Sequence, residues 1–176
     1  MTPYSIVCTR TSTNLALTLA ETKAYLKITT DHDDLLIANL IKSVSQSCES
    51  HTSLALLSQE WHAIYRGFPN SMLQLPKRPA RKINEIELIN YQGKASTYNT
   101  DLYKFDPENS ELLFYMQPLS YLISIKFSAG FGESASDVPE EIRLIMCAHV
   151  AFLYENRGSI QGFPMSRYND FKFFRI

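Results

Sequence analysis

The sequence has few cysteines, and they form no pattern for metal binding. Cys8, Cys48 and Cys147 are an odd number without close pairing, and no Cys-x-x-Cys or His-x-x-x-His spacing is present. We therefore interpret them as free thiols of a reducing cytosol. Phosphate-binding loops, dinucleotide fingerprints and Gly-x-Ser-x-Gly motifs are also missing, so no catalytic residue, metal or cofactor is predicted.

Long apolar runs and an excess of one charge are missing as well. No run of about eighteen apolar residues is present to span a membrane, and residues 1–10 lack the pattern of a signal peptide. We therefore expect no membrane partner. The formal net charge is −1, so contact with nucleic acid would depend on a local patch. The 176 residues, 45% hydrophobic and 20% charged, are typical of one soluble globular domain.

Three segments have the apolar spacing of helices. Thr18 and Glu21 have the spacing of a capping box, which predicts a short helix over about 19–27. A longer helix over about 31–52 is opened by acidic residues and carries an apolar stripe. The last helix, over about 138–157, begins with a proline and two carboxylates. It is apolar on most sides, so either the sheet and the second helix cover it, or part of it meets a neighbouring subunit.

Between the two long helices, the apolar period changes to the alternation of strands. We predict a β-rich insertion over about 58–128. Residues 1–17 have no helical period and are predicted to be an extended arm that can include a short strand at 4–8. The tail, residues 159–176, is irregular but rich in aromatics, so it should dock either on its own domain or on a partner.

Two groups of ionisable residues have a structural explanation beside a functional one. The cluster at residues 31–34 contains three aspartates and a histidine and could bind a divalent metal, but the helix macrodipole explains the acids better. His149 lies on the apolar stripe of the last helix, where a lone histidine is more often a hydrogen-bonded core residue than a ligand or base. A third group, the basic segment at residues 77–82, could contact phosphates or be a solvated loop.

Eight short segments occur in a fixed order along the chain. They are LAETKAYL at 19–26, DDLLIANLI at 33–41, LSQEW at 57–61, GFP at 67–69, LPKRP at 75–79, SAGFG at 128–132, DVPEEIR at 137–143 and HVAFLYENR at 149–157. As an ordered set covering about residues 18–158, they resemble the head–tail connector (adaptor) proteins of long-tailed bacteriophages and prophages. The tail resembles the C-terminal segment of that family only loosely, and residues 1–17 lie outside the resemblance.

The resemblance implies a helical domain with a β-rich insertion, so the fold class expected is α+β, mainly helical, with one connector domain over 18–158. It also implies a structural protein, not an enzyme, that forms a ring of twelve copies between the portal protein and the tail and extends the DNA channel. A head-closure or tail protein would dock on the ring. Assembly would occur in the host bacterial cytoplasm, and the protein would end in the virion neck. The alternatives are another neck component, or less favourably a DNA-binding or metal-dependent protein.

Under this resemblance, three groups of residues receive expected roles. The last helix would contribute to a subunit interface through Ile145, Met146 and Phe152. The tail would dock on the portal or a neighbouring subunit through Phe171, Phe173, Phe174 and Arg175. The basic segment would face a partner or the channel, with at most non-specific DNA contact, through Lys77, Arg78, Arg81 and Lys82. Deleting residues 159–176 is expected to prevent assembly and leave a folded core.

Overall fold

The fold is a mixture of helices and antiparallel sheets. The structure, a computed structural model, describes residues 2–67, 71–116, 121–156 and 162–172. Helical segments take up 35% of the described residues and strands 30%, so the fold is mixed α+β and the prediction of a mainly helical fold is wrong. The mainly helical expectation came from the resemblance to a helical domain, whereas strands take up nearly as large a share of the described residues as helices do. Residues near the N-terminus also join a sheet.

The chain divides into two compact units. The β unit comprises residues 1–11 and 58–130, and the helical unit comprises residues 12–57 and 131–176. The strands of the β unit are β1 (Ser5–Arg10), β2 (Gln59–Arg66), β3 (Met72–Gln74), β4 (Ala80–Ile89), β5 (Ala95–Thr97), β6 (Tyr103–Asp106), β7 (Glu111–Phe114) and β8 (Leu122–Ala129). They form a five-stranded sheet in the order β1-β2-β8-β4-β5 and a three-stranded sheet in the order β3-β7-β6.

Alternation of side chains gives the large sheet one apolar and one polar face. Ala63 and Tyr65 of β2 are buried, and they lie opposite Ile125 and Ile123 of β8. On the other face, Lys126 of β8 forms an ion pair of 2.7 Å with Glu85 of β4. The first residues, expected as an extended arm, belong to this sheet because β1 pairs antiparallel with the free side of β2.

The helical unit contains α1 (Leu19–Leu26), α2 (Asp34–Thr52) and α3 (Glu140–Glu155), with 3₁₀-helical turns at Ala135–Asp137 and Met165–Phe171. The N-cap of α1 is Thr18, whose hydroxyl accepts from the amide of Glu21 at 3.1 Å. The second half of the predicted capping box is replaced by another contact, because the Glu21 carboxylate accepts from Arg143 of α3 at 3.0 Å. This ion pair ties α1 to α3 across 122 residues of sequence.

The core of the helical unit is the apolar stripe of α2 packed against α3 and the tail. The fully buried residues of α2 are Ile37, Ile41, Val44 and Cys48. Two tail aromatics, Phe163 and Tyr168, belong to the same cluster and are 8% and 0% exposed. The tail from residue 162 to 172 therefore packs on its own unit, and a deletion of residues 159–176 removes part of the core.

Candidate functional site

Helix α3 carries the residues predicted for a subunit interface, and they do not share one exposed surface. Met146 is fully buried in the core of the helical unit, whereas Ile145 and Phe152 are partly buried and pack against that core. The Phe152 ring meets the Phe163 ring edge-to-face, with centroids 5.9 Å apart. The interface assignment stays a prediction, and in the single chain Ile145 and Phe152 are the members with surface left for a neighbour.

His149 lies at the centre of the contact between α3 and the tail. Its ring stacks on the Phe163 ring with centroids 4.0 Å apart, and its Nδ1 lies 3.2 Å from the Tyr168 hydroxyl. Burial lowers the pKa of His149 to about 4, because the charged imidazolium would lose its hydration. His149 is therefore a neutral, hydrogen-bonded core residue at physiological pH.

Of the tail residues predicted to dock on a partner, only Phe171 lies among the described residues. Phe171 closes the 3₁₀-helical turn Met165–Phe171 and packs, partly buried, against the core of the helical unit. Phe173, Phe174 and Arg175 lie outside the described residues. Their docking role stays a prediction.

The basic segment is divided between a loop and the start of β4. Arg78 donates to the carbonyl of Asn109, and the Nε of Arg81 donates to the carbonyl of Gly130 at 2.8 Å. The ammonium of Lys77 lies 4.9 Å from the centroid of the Trp61 ring, within cation–π range. These contacts give three of the four cations a structural role within the β unit. The fourth, Lys82, is exposed on β4.

The acidic cluster at residues 31–34 is used to join helices. The ammonium of Lys23 on α1 contacts Asp31 at 2.6 Å and Asp34 at 2.7 Å, and the Tyr154 hydroxyl of α3 donates to Asp33. The hydrogen bond to Asp31 raises the pKa of Lys23, and the same bond lowers the pKa of Asp31. In the described parts of the chain, no group of three or more acidic, histidine or cysteine side chains is placed to hold a metal ion.

The buried thiols are poor nucleophiles. Burial raises the pKa of Cys48 to about 12 and that of Cys147 to about 11. Both therefore stay protonated at neutral pH and act as small apolar side chains. Cys147 also forms part of the floor of a shallow groove between α1 and α3, whose other lining residues are Glu21, Tyr25, Glu140 and Leu144.

Sequence reasoning missed an aromatic surface at one end of the five-stranded sheet. Tyr91, in the turn between β4 and β5, is 86% exposed, and its ring lies 5.0 Å from the ring of Tyr121. Tyr4 is also exposed, and the Arg66 guanidinium lies 4.6 Å above its ring. The sequence did contain a signal for this surface, because tyrosines flank several of the predicted strands. Only the pairing order of the strands, however, places these tyrosines at the same end of the sheet. Exposed tyrosine and arginine side chains are typical of protein interfaces.

Among the described residues, none of the helices has the length and apolar character needed to cross a membrane. Residues 16–115 match the sequence model of the family described as phage gp6-like head-tail connector protein. The chain belongs to this family. The resemblance found in the sequence is thereby confirmed, and the connector is a structural protein of the virion neck. No curated protein matches the chain.

Three solved structures share the fold of the connector over nearly its whole length. A chain in the neck of an empty gene transfer agent (GTA) particle, computed with C6 symmetry, is 20% identical with a TM-score of 0.78, covering 98% of this chain and 97% of that one. A chain in the virion of a native GTA particle is 19% identical with a TM-score of 0.79, covering 97% and 96%. A chain in the neck of a native GTA particle, computed with C12 symmetry, is 19% identical with a TM-score of 0.71, covering 97% of each.

The two kinds of similarity cover different parts of the connector. The family match includes α1, α2, the basic segment and strands β2 to β7, and it ends before β8 and α3. The structural similarity extends over α3 and the tail as well. The site surfaces on α3 therefore belong to a fold that the neck proteins share, although sequence identity is too low to transfer any residue's role.

Proposed function

We propose that the connector forms a ring of copies between the portal protein and the tail, and that the ring extends the channel through which DNA passes. The observation that carries the proposal is the match of residues 16–115 to the head-tail connector family. Support comes from the shared fold with a chain in a GTA neck computed with C12 symmetry, which is why we propose twelve copies.

The role proposed for the connector is one of assembly, without catalysis or a cofactor. Copies would be made in the host bacterial cytoplasm and would bind a completed portal, after which a head-closure or tail protein would dock on the ring. The buried, neutral His149 and the protonated thiol of Cys48 are consistent with this role, because neither is poised for chemistry at neutral pH.

Three surfaces are proposed to serve the ring. The exposed parts of Ile145 and Phe152 on α3 would contribute to contacts between copies, while the end of the tail, with Phe173 and Phe174, would dock on the portal or on a neighbouring copy. Lys82 would face the channel or a partner and make at most non-specific contact with DNA, since its side chain is exposed on β4.

The proposal is tested by native mass spectrometry of the full chain over a range of concentrations, alone and mixed with the portal ring of the same phage. We expect a closed oligomer near twelve copies, formed either alone or only on the portal. Electron microscopy of the mixture should then show added density at the narrow end of the portal. A chain that stays monomeric at every concentration and does not bind the portal would overturn the proposal.

A further inference from the structure

The shallow groove between α1 and α3 is an exposed apolar surface on an otherwise packed unit. We call it the acidic groove and define it by its lining residues, Glu21, Tyr25, Glu140, Leu144 and Cys147. Leu144 is 59% exposed in the middle of α3, and Tyr25 is 44% exposed at the end of α1. A leucine and a tyrosine exposed together are the kind of apolar anchor that a short aromatic segment can cover.

Negative charge surrounds this apolar floor. Glu140 is exposed and has no ion-pair partner among the described residues, and the neighbouring Glu141 is exposed as well. Glu21 shares its carboxylate with Arg143 at 3.0 Å. Burial raises the pKa of Cys147 at the floor of the groove, while the nearby charges of Glu21 and Arg143 act on it in opposite directions. The groove therefore favours an occupant that combines apolar side chains with positive charge.

The end of the connector's own sequence has this chemistry. Residues 172–176 read Lys-Phe-Phe-Arg-Ile, which places two phenylalanines and an isoleucine beside two cations and no acid. Lys172 is exposed where the described tail ends, and residues 173–176 lie beyond it. We infer that residues 172–176 of one copy bind in the acidic groove of a second copy, an inference that rests on the proposed ring.

The described tail packs on a different side of α3 from the groove. It lies on the side that carries His149 and Phe152, whereas Leu144 lies about 140° from His149 around a helix of 3.6 residues per turn. An arc of that size on a helix of ~10 Å diameter is roughly 12 Å long, and the four residues 173–176 span at most about 14 Å when fully extended. The second copy is therefore assigned on the proposed ring, and the cross-linking experiment below distinguishes it from the same chain.

Binding between copies would link each connector to its neighbour in one direction around a ring. The groove and the tail end are different surfaces, so the contact is heterologous, as closed rings of many copies require. Because the rim contributes charge, affinity should fall as salt concentration rises.

The first test titrates a synthetic peptide, Lys-Phe-Phe-Arg-Ile, into the full chain carrying Phe173→Ala and Phe174→Ala, which leaves the groove without its proposed occupant. Adding Leu144→Lys to this chain should weaken peptide binding by about tenfold or more, because a buried leucine contact is lost. The matched control is Leu35→Lys, since Leu35 is 77% exposed on α2 and lies outside the groove; it should leave affinity unchanged. Glu140→Lys should weaken binding a few-fold, and a peptide with glutamate in place of its arginine should bind that variant better than the unmodified peptide does.

The second test identifies the chain that supplies the tail. The full chain carries a photo-reactive benzoylphenylalanine at position 174 and is mixed as ¹⁵N-labelled and unlabelled copies before irradiation. Mixed-isotope cross-links to the segment containing Leu144 are expected. Cross-links within one chain, cross-links elsewhere, or no peptide binding at millimolar protein would overturn the inference. A ring that forms equally well with Leu144→Lys would remove the inference and leave the proposed function intact. Peptide binding in a chain that forms no ring and does not bind the portal would overturn the proposed function and leave the groove binding intact.

Discussion

Removing residues 159–176 should unfold or severely weaken the helical unit, whereas removing only residues 173–176 should leave its stability nearly unchanged. The difference is expected because the middle of the tail is part of the core of the helical unit. Phe163 stacks on His149, and Tyr168 is fully buried against α2 and α3. Phe171 adds a partly buried contact.

The magnitude follows from the two buried aromatics. Replacing a buried phenylalanine or a similar aromatic by alanine costs about 3–5 kcal/mol, so losing both Phe163 and Tyr168 removes about 6–10 kcal/mol. A domain of this kind is stable by only about 5–15 kcal/mol in total.

Urea denaturation followed by far-UV circular dichroism measures the effect, with the transition fitted separately for the helical signal because the two units can unfold independently. The single variants Phe163→Ala and Tyr168→Ala should each lower the free energy of unfolding by about 3–5 kcal/mol. Tyr91→Ala, which removes an exposed tyrosine of the β unit, is the control and should change it by less than about 0.5 kcal/mol. An unchanged unfolding midpoint after deletion of residues 159–176 would refute the assignment of the tail to the core.

Three further predictions concern pH, packing and charge. The pKa of His149 is about 4 in the folded chain and about 6.5 when unfolded, so the unfolded state binds more protons between these values; stability should fall by about 3 kcal/mol as pH drops from 6.5 to 4, and His149→Asn should remove that part of the pH dependence in urea titrations. Gly132→Ala should lower the melting temperature, because its added Cβ would lie 2.4 Å from Asp137 Oδ2, which caps the turn before α3; Gly162→Ala meets no atom within 4 Å and is the control. Lys82→Glu should leave the melting temperature unchanged but abolish any salt-dependent binding to duplex DNA, and equal binding by both proteins in a filter or anisotropy assay would rule out DNA contact at Lys82.

Local signals in the sequence were sufficient for the helices. The apolar stripe of α2 repeats every three or four residues, and its members Ile37, Ile41 and Val44 are fully buried in the structure. Thr18 caps α1 because a hydroxyl at that position can accept from an amide three residues later without help from the rest of the fold. For His149, a lone imidazole on an apolar stripe had few alternatives to a buried hydrogen bond.

Features that depend on distant parts of the chain were not accessible in the same way. The pairing order of the strands, with β8 between β2 and β4, is set by contacts between segments that lie far apart in the sequence. The partner of Glu21 could not be predicted, because Arg143 lies 122 residues away. The same is true of Arg78 and Arg81, whose charges suggest phosphate binding in the sequence but whose guanidinium groups bind backbone carbonyls in the structure.

The position of the tail allows one segment to serve folding and, under the inference above, assembly. Phe163 and Tyr168 hold the tail on the helical unit through buried contacts, so the entropy of ordering residues 162–172 is already offset in the single chain. Under that inference, the short segment after Phe171 is the part of the tail that binds a second copy. A contact built this way is weak for a single pair of copies and strong when it is repeated around a closed ring, since each added copy is held by its neighbours. Substitutions at Phe173 or Phe174 should therefore change ring assembly without changing the melting temperature, whereas substitutions at Phe163 or Tyr168 should change both.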